Sequence, residues 1–165
     1  MPYVASIGTH LSCWGTVQHR VAGDAEDAIT LAVEDGRVAK QAFSMAGMTP
    51  ADVDVSEVHD FFTGIELISY EDLGFAERFG AYKLLEAEET TIGGGLPVNT
   101  SGGLTATGHP PGATGVAQCV ELFGALRGEA IDQVDGARVG LAHNLGGPTA
   151  VSAVTILEGP VAHGR

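Results

Sequence analysis

Apolar positions change period several times along this chain. Tyr3 to Ile7 is a short β-rich run closed by Gly8. From about Ala25 the spacing turns helical, and Val38, Ala42, Met45 and Ala46 recur at i, i+4, i+7 and i+8 on one helix face. Gly36 weakens an unbroken helix, so the spacing predicts a helix over Gly36 to Ala46, stopped by Gly47. Thr49-Pro50 reads as the cap and first position of one further turn. Val53, Val55 and Val58 predict a strand that ends near His59. Phe61 to Leu73 predicts a second helix, with Phe62, Ile65, Leu67, Ile68 and Leu73 apolar. Phe75 to Thr91 is mixed and acidic, and Gly93 to Thr107 predicts a glycine-rich loop. Ala113 to Leu126 predicts a third helix, whose Val116, Val120 and Phe123 share a face with Cys119. Arg138 to Ala142 and Thr149 to Leu157 are β-rich runs joined by Asn144-Leu145-Gly146-Gly147-Pro148, a predicted hairpin. Strand, helix, strand, helix, helix, strand, strand predicts an α/β layered domain with a mixed sheet.

Composition narrows the function. The 165 residues suit one domain with a core of its own. A net charge of −13 removes nucleic acid as a partner class, because such binding needs a basic footprint. The same charge means that an anionic ligand would rely on local cations or backbone N–H groups. Cys13 and Cys119 have neither metal-ligand spacing nor the pattern of a disulfide framework. Cys119 shares the apolar helix face and reads as packing, while Cys13 lies in a loop near His10. No apolar run approaches a membrane span and no leader pattern opens the chain, so a cytoplasmic location is the expectation. Glycine, at 24 residues, is about twice its usual share of roughly 7%. Eight of these glycines fall between Gly93 and Gly115, where backbone must turn sharply or approach something closely. That stretch lacks the Gly-Lys-Ser/Thr ending of a phosphate loop, so it reads as a device for placing the histidine inside it.

Three of the six histidines stand at predicted strand or loop ends, where α/β folds line their ligand crevices. His109 lies just before the third helix, between Gly108 and Pro110. The positive end of a helix favours a nearby anion, and a neutral imidazole there can donate to an acyl oxygen as charge develops. A turn-capping histidine is the plain alternative. His59 precedes Asp60 and could meet a substrate oxygen directly or through water. Satisfaction by local backbone is its alternative, and the same holds for His143 before its glycine turn. His10, His19 and His163 have no supporting context and read as surface.

The motifs themselves resemble a known family. Asn99-Thr-Ser-Gly-Gly-Leu-Thr-Ala-Thr-Gly108-His109-Pro-Pro-Gly-Ala-Thr-Gly resembles the Asn-x-x-Gly-Gly…Gly-His-Pro…Gly-Ala-x-Gly signature of thiolases. Val58-His59-Asp60-Phe61-Phe62 resembles the His-Asp-Cys-Phe motif of sterol-carrier-protein-type thiolases and lipid-transfer thiolase-like proteins. His143-Asn144-Leu145-Gly146-Gly147 resembles their His-Asn-x-Gly segment. The three come in family order and cover the chain from about Pro2 to Leu157. The resemblance implies a thiolase C-terminal half over residues 1–165, with a five-stranded mixed sheet and helices on both faces. It implies that the first half, with the nucleophilic cysteine and most of the coenzyme A contacts, is absent.

Roles follow from the resemblance alone. His109 matches the histidine that activates the nucleophile and helps form the oxyanion hole. His59 matches the residue that completes the hole for a second acyl group. His143 stands where ordinary thiolases carry the acid/base cysteine, and Phe61 stands where the His-Asp-Cys-Phe motif carries one. Both cysteines are therefore replaced, with His143 or Tyr70 as possible substitutes. Asn99, Gly108, Asn144 and Gly146, the other motif positions, are expected to contact substrate. The implied substrate is a coenzyme A thioester, with no further cofactor and no metal. The implied partner is an N-terminal thiolase half or a second copy, together with a small acyl-CoA-binding protein in some relatives. The leading expectation is an acyl-CoA acyltransferase half of the acetyl-CoA C-acetyltransferase type. A non-catalytic acyl-CoA or lipid-binding module, a retro-aldolase subunit and an inactive truncated product remain open beside it. Half of such a fold would expose the apolar face its partner covers, so the chain is expected to self-associate.

Overall fold

A computed structural model describes residues 26–146 and 151–159, with side chains from residue 36 and, in the last segment, from residue 152. The predicted strand at Tyr3–Ile7, Cys13, His10, His19 and His163 lie outside these residues, as does the tip of the predicted hairpin. The described elements are α1 (Glu26–Ala46), a 3₁₀ turn (Pro50–Asp52), β1 (Val55–Glu57), α2 (Thr63–Asp72), α3 (Tyr82–Glu86), α4 (Gly103–Thr107), α5 (Thr114–Arg127), β2 (Val139–Gly146) and β3 (Val151–Glu158).

The sheet is mixed, in the order β1-β2-β3. β1 runs parallel to β2, with Val55 opposite Gly140, and β2 runs antiparallel to β3, with His143 opposite Val154. Alternation along the strands sorts the core into two layers. Val139, Leu141, Val154 and Ile156 join Val38, Ala39 and Phe43 of α1 and Tyr70 of α2 on one face. Val55, Ala142 and Leu157 meet Leu122, Ala125 and Leu126 of α5 on the other. Gly140 is small because α5 lies close, and a Cβ there would sit 3.2 Å from Leu122 Cδ2. Helices thus cover both faces, as the resemblance implies.

Four expectations need correction. Among the described residues the sheet has three strands and not five. A fourth is only begun: Val98 bridges Ser56 in parallel. Pro97 has no N–H to donate, and Asn99 turns the chain at φ 53, so pairing stops there. Second, α1 starts at Glu26 and runs unbroken through Gly36. Gly36 lets α1 approach the end of α2, with the Asp72 carbonyl 3.5 Å from where a Cβ would stand. Tertiary contact there outweighs the weak helix propensity of glycine. Met45, placed on the buried face by its spacing, is 47% exposed, and Phe43 is the buried residue. Third, the glycine-rich loop ends in a helical turn, α4. Fourth, Val116 and Val120 of α5 are 65% and 61% exposed. The face that α5 buries carries Thr114, Gln118, Leu122, Ala125 and Leu126.

The predicted cap at Thr49 is present: its N–H and its hydroxyl both donate to the Asp52 carboxylate at 2.7 Å. No helix among the described residues is long and apolar enough to cross a membrane.

Candidate active site

The site grows from the C-terminal end of β1. Val58, His59 and Asp60 leave the strand there, all three buried. Residues 97–104 run alongside. Ser56 N–H donates to the Pro97 carbonyl at 3.0 Å and Asn99 N–H to the Ser56 carbonyl at 2.8 Å. The Asn99 side chain then turns back: its Oδ1 accepts Val58 N–H at 2.8 Å, and its Nδ2 donates to Glu66 Oε1 at 3.2 Å. The same Glu66 oxygen accepts the Tyr70 hydroxyl at 2.7 Å. Burial, and then the Glu66 carboxylate, push the Tyr70 hydroxyl well above its ordinary range. Tyr70 therefore braces Asn99 through Glu66.

α4 is one short turn, and Gly108 ends it at φ 80, a conformation that suits only glycine at low cost. This reversal brings His109 onto His59. The two ring centroids are 4.8 Å apart and the planes are near perpendicular at 87°. His109 is exposed, while His59 is 2% exposed. His109 Nδ1 lies 2.7 Å from the Thr114 hydroxyl at the start of α5. With Nδ1 so engaged, Nε2 is the nitrogen left for a substrate. A hydroxyl both donates and accepts, so Thr114 can support either His109 tautomer. Nε2 can then act as a base in one tautomer and as a hydrogen-bond donor in the other.

Phe61 stacks on the pair, with centroids 5.1 Å from His59 and 6.2 Å from His109. Phe62 lies 4.2 Å from Phe61 and is 65% exposed. Burial lowers the proton affinity of His59, so its ring is neutral near pH 7; the Asn144 amide opposes this shift and His109 adds to it. His59 Nδ1 and Asn144 Oδ1 are buried without a protein partner. α5 passes close beneath Asn144, where a Cβ on Gly115 would stand 2.6 Å from its Nδ2.

His143 sits differently. Alternation turns its ring to the other sheet face, where it is 1% exposed. Its Nε2 is 3.2 Å from the Ser152 hydroxyl, and its carbonyl accepts Gln118 Nε2 at 3.0 Å. Burial first, and the nearby His59 second, lower its pKa to about 4. Gly146 closes β2 opposite Val151. The structure thus brings together His59, His109 and Asn144, engages the Asn99 amide with protein at both ends, and buries His143 beneath the sheet.

Three further residues emerge that the sequence reading left without a role. Glu57 is 3% exposed, and its carboxylate accepts Ser101 N–H at 3.1 Å and the Ser101 hydroxyl at 2.7 Å. Burial raises its proton affinity against the pull of those two bonds. Asp60 is 8% exposed and its Oδ1 accepts Leu104 N–H at 2.8 Å. Thr114 holds His109. All three line one small cavity of about 50 Å³, together with Gln118. Nothing in the spacing of Glu57 and Asp60 marks them for burial, since carboxylates are ordinarily exposed.

Residues 15–159 match the family described as thiolase C-terminal domain-like. The chain belongs to that family. It is 44% identical over 149 residues to an acetyl-CoA acetyltransferase of Methanothermobacter thermautotrophicus, across 84% of this chain and 39% of that enzyme. It is 50% identical over 109 residues to sterol carrier protein 2 of Bos taurus, across 66% of this chain and 20% of that protein. Among solved structures it is similar to one titled Ltp2-ChsH2(DUF35) aldolase, with a TM-score of 0.68 and 28% identity. That likeness covers 76% of this chain and 32% of the other. The thiolase-like chain therefore spans well under half the length of each relative.

Proposed function

We propose that this chain is the histidine-bearing half of a thiolase-type acyl-CoA acyltransferase, acting with a half or subunit that carries the nucleophilic thiol. The observation that carries this reading is the perpendicular His59–His109 pair, one ring exposed and the other buried and neutral. In acyl transfer a thiolate attacks the thioester carbonyl, the carbonyl oxygen takes up negative charge, and coenzyme A leaves with the electron pair of its C–S bond. His109 Nε2, with Nδ1–H bonded to the Thr114 hydroxyl, accepts the nucleophile's proton, and the imidazolium so formed returns that proton to the leaving thiolate. His59, neutral and dry, donates toward the developing oxyanion, where a preorganised donor is worth about 3–4 kcal/mol of barrier. The coenzyme A thioester is the substrate, and the chemistry calls for no other cofactor. His143, neutral at working pH, orders the strand beneath the pair and has no direct route to the substrate in this reading.

A second reading rests on Phe61. Its ring has no proton to exchange, yet it occupies the place of the acid/base cysteine beside both histidines. Removal of an α-proton, which Claisen condensation needs, has no donor or acceptor at this position. Carbon–carbon cleavage of a β-hydroxyacyl thioester needs a base at the hydroxyl instead. The similarity to an aldolase structure points the same way.

The deciding experiment mixes the chain with a matching nucleophile-bearing half and follows coenzyme A-dependent cleavage of acetoacetyl-CoA beside release of the carbonyl product from a β-hydroxyacyl-CoA. Thiolysis that depends on His109 supports the transferase. Cleavage of the β-hydroxyacyl thioester alone supports the lyase. Turnover that survives His109→Ala in both assays removes both readings.

A further inference from the structure

The two rings belong to segments far apart in sequence, and what fixes their separation is a set of polar ties at the residues flanking His59. Glu57 receives two bonds from Ser101, Val58 N–H donates to Asn99, and Asp60 receives Leu104 N–H. Three of the four consecutive residues 57–60 are thereby bonded to segment 99–104, a turn that leads into α4. The exception is His59, whose side chain is the one directed at His109. From Leu104 only the remainder of α4 and Gly108 precede His109. The tie at Asp60 has a second half: Gly103 must lack a side chain, because a Cβ there would run into the Asp60 carboxylate. Gly103 holds φ 60, so α4 begins pressed against Asp60. Carboxylate-to-N–H bonds are short and strong, and a buried carboxylate that lost its donors would be costly.

We propose that Asp60, seconded by Glu57, is the positioning residue that sets the His59–His109 geometry by anchoring the first turn of α4. This rests on the reading of the two histidines as the working pair, but its test needs no turnover. It acts on the substrate only through the two rings.

The test is an NMR measurement of inter-ring NOEs between His59 and His109 in the isotope-labelled full chain. Asp60→Asn retains an oxygen acceptor for Leu104 N–H, and the NOE is expected to persist. Asp60→Ala removes it, and the NOE is expected to vanish while core methyl signals of Leu141 and Ile156 stay in place. If Asp60→Ala fails to fold, Ser101→Ala serves instead. It removes one of the two donors to Glu57, and the NOE is expected to weaken. An NOE unchanged in Asp60→Ala, or unchanged in Ser101→Ala where the first variant is unfolded, overturns the assignment. So does an NOE lost equally in Asp60→Asn and Asp60→Ala. A failed acyl-transfer assay with these NOEs behaving as expected would overturn the proposed function and leave the positioning role intact.

Discussion

β1 and β2 are each associated with a histidine followed by a short polar residue, His59 just past the end of β1 and His143 midway along β2, and the fold treats them in opposite ways. At the end of β1, His59 meets a second ring from a glycine-rich turn, with exposed aromatic residues at its edge. Midway along β2, His143 is sealed under the sheet, its ring held by Ser152 and its carbonyl by Gln118. The difference lies in strand parity and in what covers each ring. A histidine on the face covered by α1 and α2 has no route to solvent, whereas His59, itself buried, meets the exposed His109 ring that follows α4 and Gly108. The strand end that the sequence pattern places before His143 lies instead at Gly146, so β2 keeps that histidine inside the sheet, whereas His59 has a second ring to share its proton.

The comparison is broken most directly at the exposed ring. In the completed enzyme, His109→Ala should lower kcat about 10²–10⁴-fold, the cost of one general acid–base group, with folding stability little changed. Steady-state kinetics beside a urea titration would show the split. An equal loss from His143→Leu would place the two strands' histidines on the same footing.

The sealed ring should show itself in acid. His143 has a pKa of about 4 when folded, against an ordinary histidine value near 6.5. Between these two values the unfolded chain holds the proton and the folded one does not. Stability conferred by the neutral buried ring is full above about pH 6.5 and is lost progressively toward pH 4. At ~1.4 kcal/mol per pKa unit, this amounts to about 3 kcal/mol. His59, also shifted down by burial, acts in the same direction. Urea midpoints from pH 7 to 4 should fall steeply, and less steeply in His143→Leu. A parallel fall in both would locate the acid sensitivity elsewhere.

Much of this contrast was legible in the sequence, though not all of it. The helices α1, α2 and α5, the strand β1 and the hairpin of β2 and β3 follow from period and turns, whereas the short helices α3 and α4 do not. The closure over His143 does not, because a run such as Gly-Leu-Ala-His-Asn does not say which face receives which helix. Gly36 misled through its propensity, which the contact with Asp72 outweighs. Glu57 and Asp60 were invisible as buried groups: carboxylates are ordinarily exposed, and their burial depends on N–H donors from a segment some forty residues away.

A smaller effect sharpens the role of Asn144, which joins the two histidines. Gly115→Ala would place a methyl group against the Asn144 amide and push that flexible group aside. Stability should change by about 1 kcal/mol or less, since a side-chain tip can yield. His59 should respond more: with the opposing Asn144 contact gone, its proton affinity should fall further below the ordinary histidine value. A histidine-ring NMR titration would detect this, and an unmoved His59 would separate Asn144 from the site.

The smallest effect on the chain itself is expected where the sequence pattern and the fold disagree most openly. Val116 and Val120 form an apolar row on α5 that the periodicity marks for burial, yet α5 spends Leu122, Ala125 and Leu126 on the sheet and leaves that row in solvent. Replacing an exposed valine costs the isolated fold little, within about 0.5 kcal/mol. If a partner half or a second copy covers the row, each buried valine would contribute up to about 1.5 kcal/mol to that contact. Val116→Ser with Val120→Ser should therefore leave the thermal midpoint nearly unmoved and reduce self-association in light scattering. A wild-type chain that is monomeric at neutral pH, or association indifferent to the double change, would show that the periodicity of α5 reports something other than a covered face.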